Sequence, residues 1–175
     1  PYAGGKIYQS NQETWGGSLA HNWARPLEAH GDHEAGSLAL VTIENFTSTC
    51  ETDGRLLIVD LADSREGQAW SSTPEGPYRL PVVSEWSPFG KPGSLPNAGC
   101  SAHYFQLRDG VLVQSYYGQG THFIDVSDPA NPEQVGYFRA DGGSNWAPYW
   151  NGDVMYIADG RRGVDIVRPI IPAKG

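Results

Sequence analysis

Short apolar runs recur along the chain in one form: GRLLIVDL at Gly54 to Leu61, GTHFIDV at Gly120 to Val126 and RGVDIV at Arg162 to Val167. Their length and their β-branched and aromatic content predict strands, and nothing in the pattern calls for a helix. Each run follows a second apolar stretch, LALVTIENF at Leu38 to Phe46, VLVQSYY at Val111 to Tyr117 and DVMYIA at Asp153 to Ala158. Polar or glycine-containing loops such as Gly118 to Gly120 and Asp159 to Gly163 join the members of a pair, which therefore read as antiparallel hairpins. Further upstream, Asp109-Gly110 and Asn151-Gly152 supply the positive φ that two-residue turns demand, adding strands over Ser101 to Leu107 and Asn145 to Trp150. A fourth strand fits Glu133 to Phe138, after the Asp128-Pro129 and Asn131-Pro132 turns, where proline cannot continue a ladder.

A repeated four-stranded antiparallel meander is the unit of a β-propeller blade. Asp125 and its counterpart Ile166 are 41 residues apart, within the usual spacing of blades, whereas Asp60 and Asp125 are 65 apart. The excess falls in Glu75 to Gly99, rich in Pro, Gly and Ser, which reads as a loop projecting from one face. The expected organisation is a single all-β segment of about three blades in an incomplete ring. Residues 1–29 are irregular or belong to a preceding blade, 30–74 form a blade, 75–99 the inserted loop, 100–139 a blade, 140–169 an incomplete last blade and 170–175 a tail.

The runs LLIVD, FIDVSDPANP at 123–132 and RGVDIVRP at 162–169 resemble the LVIVD-repeat propellers, especially their secreted actinobacterial members. The likeness covers roughly Ala29 to Pro169, with Asp-Pro-Ala-Asn-Pro its most distinctive element. Complete members of that family look like rings of about seven blades, and a ring needs at least about four. This chain therefore resembles a partial, C-terminal portion. It is expected to pair with another protein chain, either the rest of the propeller or identical subunits, because hydrophobic strand edges are costly to leave open.

Composition narrows the function. A formal charge of −8, with 20 acidic against 12 basic residues and no basic cluster, opposes nucleic-acid binding. No apolar stretch is long enough to span a bilayer as a helix, and Pro1 to Gln9 lack the features of a signal peptide. Three lysines, six tryptophans and two cysteines suit an exported protein at an extracellular or cell-surface location. Cys50, in a second-to-third-strand loop, and Cys100, just before an innermost strand, fall on one face in neighbouring blades, so a disulfide between them is reasonable.

That same face attracts the chemistry. His30 lies eight residues before Leu38 and His103 eight before Val111, which gives them equivalent places at the start of innermost strands, with Asn145 in the third unit. With His33 they form a candidate metal set for copper, zinc or iron, the alternative being hydrogen-bonded structural histidines and no metal. His21 and His122 are weaker candidates, and His122 reads as a packing or surface residue. Asp125 and Asp128 read as turn residues satisfying local amides and not as a calcium site. Tyr104, Trp146 and Tyr149, with Asn145, are candidate binding residues, since aromatic faces stack on sugars or side chains. No nucleophile elbow, Ser-His-Asp spacing or phosphate-cradling loop appears.

The leading expectation is a non-catalytic exported propeller acting as a binding or assembly module through its channel face and inserted loop. The second is a metal-dependent, copper-like oxidoreductase with a histidine site at the channel mouth. That arrangement is implied by the more distant resemblance to the selenium-binding protein and methanethiol oxidase propellers. The third is a glycan-binding module.

Overall fold

The computed structural model describes residues 19–45, 49–51, 54–61, 81–96 and 98–171. Eleven strands and no helix are found among them, arranged as three antiparallel meanders. The first contains β1 (Leu19–Ala24), β2 (Leu38–Glu44), β3 (Leu56–Asp60) and β4 (Val82–Trp86) in chain order. β5 (Phe105–Arg108), β6 (Val111–Ser115), β7 (Thr121–Asp125) and β8 (Glu133–Phe138) make the second. β9 (Asn145–Asn151), β10 (Val154–Asp159) and β11 (Gly163–Val167) make the third, which has three strands.

The hydrophobic pattern explains the stacking. In β2, β3, β6 and β7 nearly every residue is buried, which requires cover on both faces. Leu40, Leu56, Ile58 and Trp86 of the first sheet meet Leu112, Tyr116 and Ile124 of the second in one core. On the second sheet's other face Val111, Val113 and Phe123 meet Met155 and Ile157 of the third. Side chains of this size stabilise by about 1.5–3 kcal/mol each when fully buried. β10, in contrast, alternates between buried and more open positions, so the third sheet covers its neighbour with one face only.

The boundaries of the first unit differ from the expectation. Its first strand, LAHNWA, lies within the stretch assigned to irregular structure or a preceding blade, and its last, VVSEW, within the stretch assigned to the inserted loop. Both are short and carry polar residues on half of the sheet, so neither stands out by hydrophobicity. Residues 1–18, 62–80 and 172–175, which include Pro1, the end of the expected first blade, the start of the expected insertion and most of the tail, lie outside the described residues. The remainder of the insertion, from Ser87 onward, folds back onto the body through Gln119, whose amide serves the backbone of Leu95 and Ala98.

All three sheets run in the same sense. One end carries the β2–β3, β6–β7 and β10–β11 loops and the chain entering β5 and β9; it is called the upper end below. Cys50 and Cys100 are disulfide-bonded there, with Cα atoms 4.7 Å apart, across 50 residues of sequence. Gly54 makes room for the bridge, since at φ +68° a Cβ would sit 2.5 Å from Cys100 Sγ.

Candidate metal centre

Immediately beyond the disulfide, Ser101 to His103 run along the end of β2. Ala102 N–H donates to Ile43 O at 3.2 Å, the amide of Asn45 donates to Ser101 Oγ, and Thr42 Oγ1 donates to His103 O at 3.0 Å. This splice brings His103 beside Glu44, the last residue of β2. His21 arrives from the other side. The β1–β2 register slips between Ala20 and Asn22, leaving His21 as the extra residue at the bulge and turning its side chain out of the ladder.

The three side chains converge at the upper end. Potential ligand atoms of His21, Glu44 and His103 all lie within 4.8 Å of one another. His21 Nδ1 is 2.8 Å from Glu44 Oε2, and His103 Nε2 is 3.8 Å from Glu44 Oε1. The two imidazoles stack with centroids 4.3 Å apart. His103 is only 8% exposed and Glu44 6%.

The surroundings orient the set. His103 Nδ1 faces the carbonyl of Trp146 at 2.8 Å and donates to it, which leaves Nε2 as the free lone pair pointing at Glu44. Burial lowers the pKa of His103; the Trp146 carbonyl raises it, the charge of His21 lowers it and Glu44 raises it. The outcome is a neutral imidazole, the form that ligates metals. Tyr117 donates its phenol to Glu44 Oε1. Its pKa is raised by burial first and then by Glu44, so the phenol keeps its proton. Tyr117 adopts φ +47°, the left-handed region that a bulky residue seldom occupies, and pairs with Asn145 through both backbone groups. Tyr104 and Trp146 pack edgewise or tilted around the His103 ring and form the rim.

The other sequence-derived candidates are distributed differently. His30 and His33 pair with each other through their backbones in the β1–β2 connection, at the lower end. Neighbouring Gly31 sits against Pro129 of the β7–β8 turn. The equivalence of His30 with His103 is thus corrected: the first strand of that sheet is β1, and 13 residues separate it from β2, so counting back from Leu38 leads into the wrong loop. Asn145 is not a free binding group either. It is buried, accepts from Thr121 Oγ1 and donates to Asp159 Oδ2. Tyr149 is exposed on β9, remote from the register of the cluster. His122, read as a packing or surface residue, is fully buried and is not at the surface. Asp125 and Asp128 each accept a local backbone amide, from Ser127 and Ala130. Glu44 was legible only as the polar end of an apolar strand, and His21 only through a bulge that no local motif announces.

No family model, curated protein or solved structure matches the chain.

The donor set suits a transition metal. Ligand bonds of about 2.1 Å in tetrahedral geometry put donor atoms roughly 3.4 Å apart, between the 2.8 and 3.8 Å separations found here.

Proposed function

We propose that this chain contributes three consecutive propeller blades whose upper end binds a divalent transition metal through His21, Glu44 and His103. The observation that carries the reading is the orientation of His103, whose Nδ1 is held by the Trp146 carbonyl so that neutral Nε2 addresses Glu44 and His21. Two imidazoles and one carboxylate suit zinc, copper(II) or iron(II), and three protein ligands leave coordination positions for water or a small molecule. The three meanders stacked in chain order support the propeller part of the reading, and the disulfide suits an oxidising, extracellular setting.

The test is calorimetric titration of chelator-treated protein with Zn²⁺, Cu²⁺ and, anaerobically, Fe²⁺, with elemental analysis of the isolated protein. One equivalent of at least one metal is expected to bind, weakened at least tenfold by His103→Ala or Glu44→Gln and unaffected by His33→Ala. Equal affinity in all four proteins, or no stoichiometric binding, would end this reading.

A second reading, assembly with another chain, is favoured by a separate observation. The outer face of the third sheet carries Tyr149, Val164 and Ile166, all more than half exposed, in contrast to the doubly covered second sheet. Its cover would be a further antiparallel sheet, from the rest of a propeller or a second subunit. The two readings are compatible, since they use different surfaces.

A further inference from the structure

A cleft of about 490 Å³ opens at the upper end between the second and third sheets. Its wall includes Tyr117, the loop from Arg139 to Ser144, and Arg161 of the β10–β11 turn. We infer that this cleft binds a small oxyanion, a carboxylate or phosphate group, through Arg139 and Arg161.

The wall carries arginines without carboxylate partners among the described residues. Arg139 Nη1 is shielded from solvent and has no hydrogen-bond partner. Neither Arg139 nor Arg161 joins an ion pair among the described residues, although four other arginines do. Both side chains therefore stand on the cleft wall with no carboxylate of the described residues paired to them. Arginine also presents the planar fork that matches carboxylate and phosphate oxygens. Asp141 is the one acidic residue on the wall, so the lining carries two positive charges against one negative. In a chain of net charge −8, that local excess is not the result of a generally basic surface.

The backbone holds the cleft open and shaped. Gly120, at φ +88°, presses the β6–β7 turn onto Arg139: a Cβ there would lie 2.5 Å from Phe138 O and 2.9 Å from Arg139 Cβ. Gly143 N–H donates to Ala140 O, closing the loop, and Gly142 at φ +68° has open space where a side chain would project. Asp159 fastens the opposite wall, accepting Arg161 N–H and Arg162 N–H on Oδ1 and Ser144 N–H on Oδ2. Because its carboxylate is already engaged by these amides, it leaves the Arg161 guanidinium available. The inference stands without a metal at His21, Glu44 and His103, but Tyr117 belongs to both walls, so an anion here would sit next to that centre.

The test uses chelator-treated protein at constant ionic strength, titrated by calorimetry with sodium phosphate and with sodium succinate against a sodium chloride background. Saturable binding of one or both is expected, phosphate alone or succinate alone identifying the oxyanion. Arg161→Gln and Arg139→Gln are each expected to weaken it about tenfold or more, the loss of one charge-assisted hydrogen bond, while Arg168→Gln leaves it unchanged. Arg161 is exposed, so its variant remains decisive even if Arg139→Gln unfolds. No saturable binding of either anion, or binding equally strong in Arg161→Gln, would overturn the inference.

Discussion

His122 and Asp159 illustrate how single buried groups govern this molecule's response to pH. His122 packs against Trp86 and Tyr116, with Nδ1 3.0 Å from Gln134 Oε1 and Nε2 3.2 Å from Gln119 O. Burial lowers its pKa, and the two acceptors only partly oppose that. The folded value therefore lies below the unfolded 6.5, so on acidification the unfolded chain takes up this proton first. Stability is expected to fall as pH drops below about 6.5, until folded His122 is itself protonated. Urea unfolding at intervals from pH 7.5 to 5 should show this slope, reduced in His122→Gln; identical slopes would refute the assignment. Asp159 works with the same sign, in a more acidic window. Desolvation raises its pKa, but the amides of Arg161, Ser144 and Arg162 and the Arg162 charge outweigh that and lower it. Its contribution is present above the ordinary carboxylate range and is lost as pH falls through the lowered folded value. Asp159→Asn puts an NH₂ against amide donors and is expected to cost about 1–3 kcal/mol, read from the urea midpoint at pH 7. At the metal centre, Tyr117→Phe removes the donor on Glu44 while keeping the ring, and should weaken metal binding about tenfold, the usual size for an outer-shell partner.

At the scale of elements, the splice of Cys100 to His103 onto β2 joins fold to site. Removing the disulfide with Cys50→Ala/Cys100→Ala releases a 50-residue closure, a loss of about 4 kcal/mol on the chain-entropy account. It should also weaken metal binding, because His103 is then held to β2 only by the hydrogen bonds around Ile43, Asn45 and Thr42. Unchanged metal affinity in a folded double variant would show that those bonds suffice. The strands that supply this framework were largely legible in sequence. LALVTIE, LLIVD, VLVQS and THFID are apolar because both their faces are covered, and Asp109-Gly110 turns β5 into β6 with both φ positive, as expected. Between β9 and β10 the turn is shifted by one residue: Asn151 ends β9 and pairs with Val154, and Gly152, with Asp153, makes the turn at positive φ. The bridge between Cys50 and Cys100 was legible too, since two loops at one end of adjacent meanders bring the residues together. The site was legible only in part. His103 follows from its place before β5, but finding His21 required knowing that LAHNWA is a strand and that it bulges at its third residue. Counting from Leu38 to His30 failed because spacing along a chain predicts position only when the intervening loops are equal in length.

Across the whole molecule, the unequal cover of the three sheets sets the most general expectation. The second sheet is sandwiched: Leu112, Tyr116 and Ile124 face the first sheet, and Val113 and Phe123 face the third. The third sheet repeats the inner half of this arrangement with Met155 and Ile157, yet its outer face aligns Tyr149, Tyr156 and Ile166 in one row and Ala147, Ala158 and Val164 in the next. Ile166 is 65% exposed and Val164 60%. Beside them, β11 has β10 on one side and no strand on the other among the described residues. An apolar face next to an unpaired edge is the combination that natural sheet proteins cover or charge, and here the one charged residue within β11, Asp165, is bonded to Arg162 at 2.9 Å. The purified chain is therefore expected to self-associate through this face, with sedimentation velocity at tens of micromolar showing species larger than a monomer. Ile166→Lys should shift it to the monomer without loss of thermal stability, because the side chain it replaces contributes little to the core of its own chain. The same substitution should leave metal affinity intact, since the upper-end ligands come from the first two sheets. A wild-type monomer at those concentrations would remove the assembly reading and leave the metal centre to be judged by its own titration.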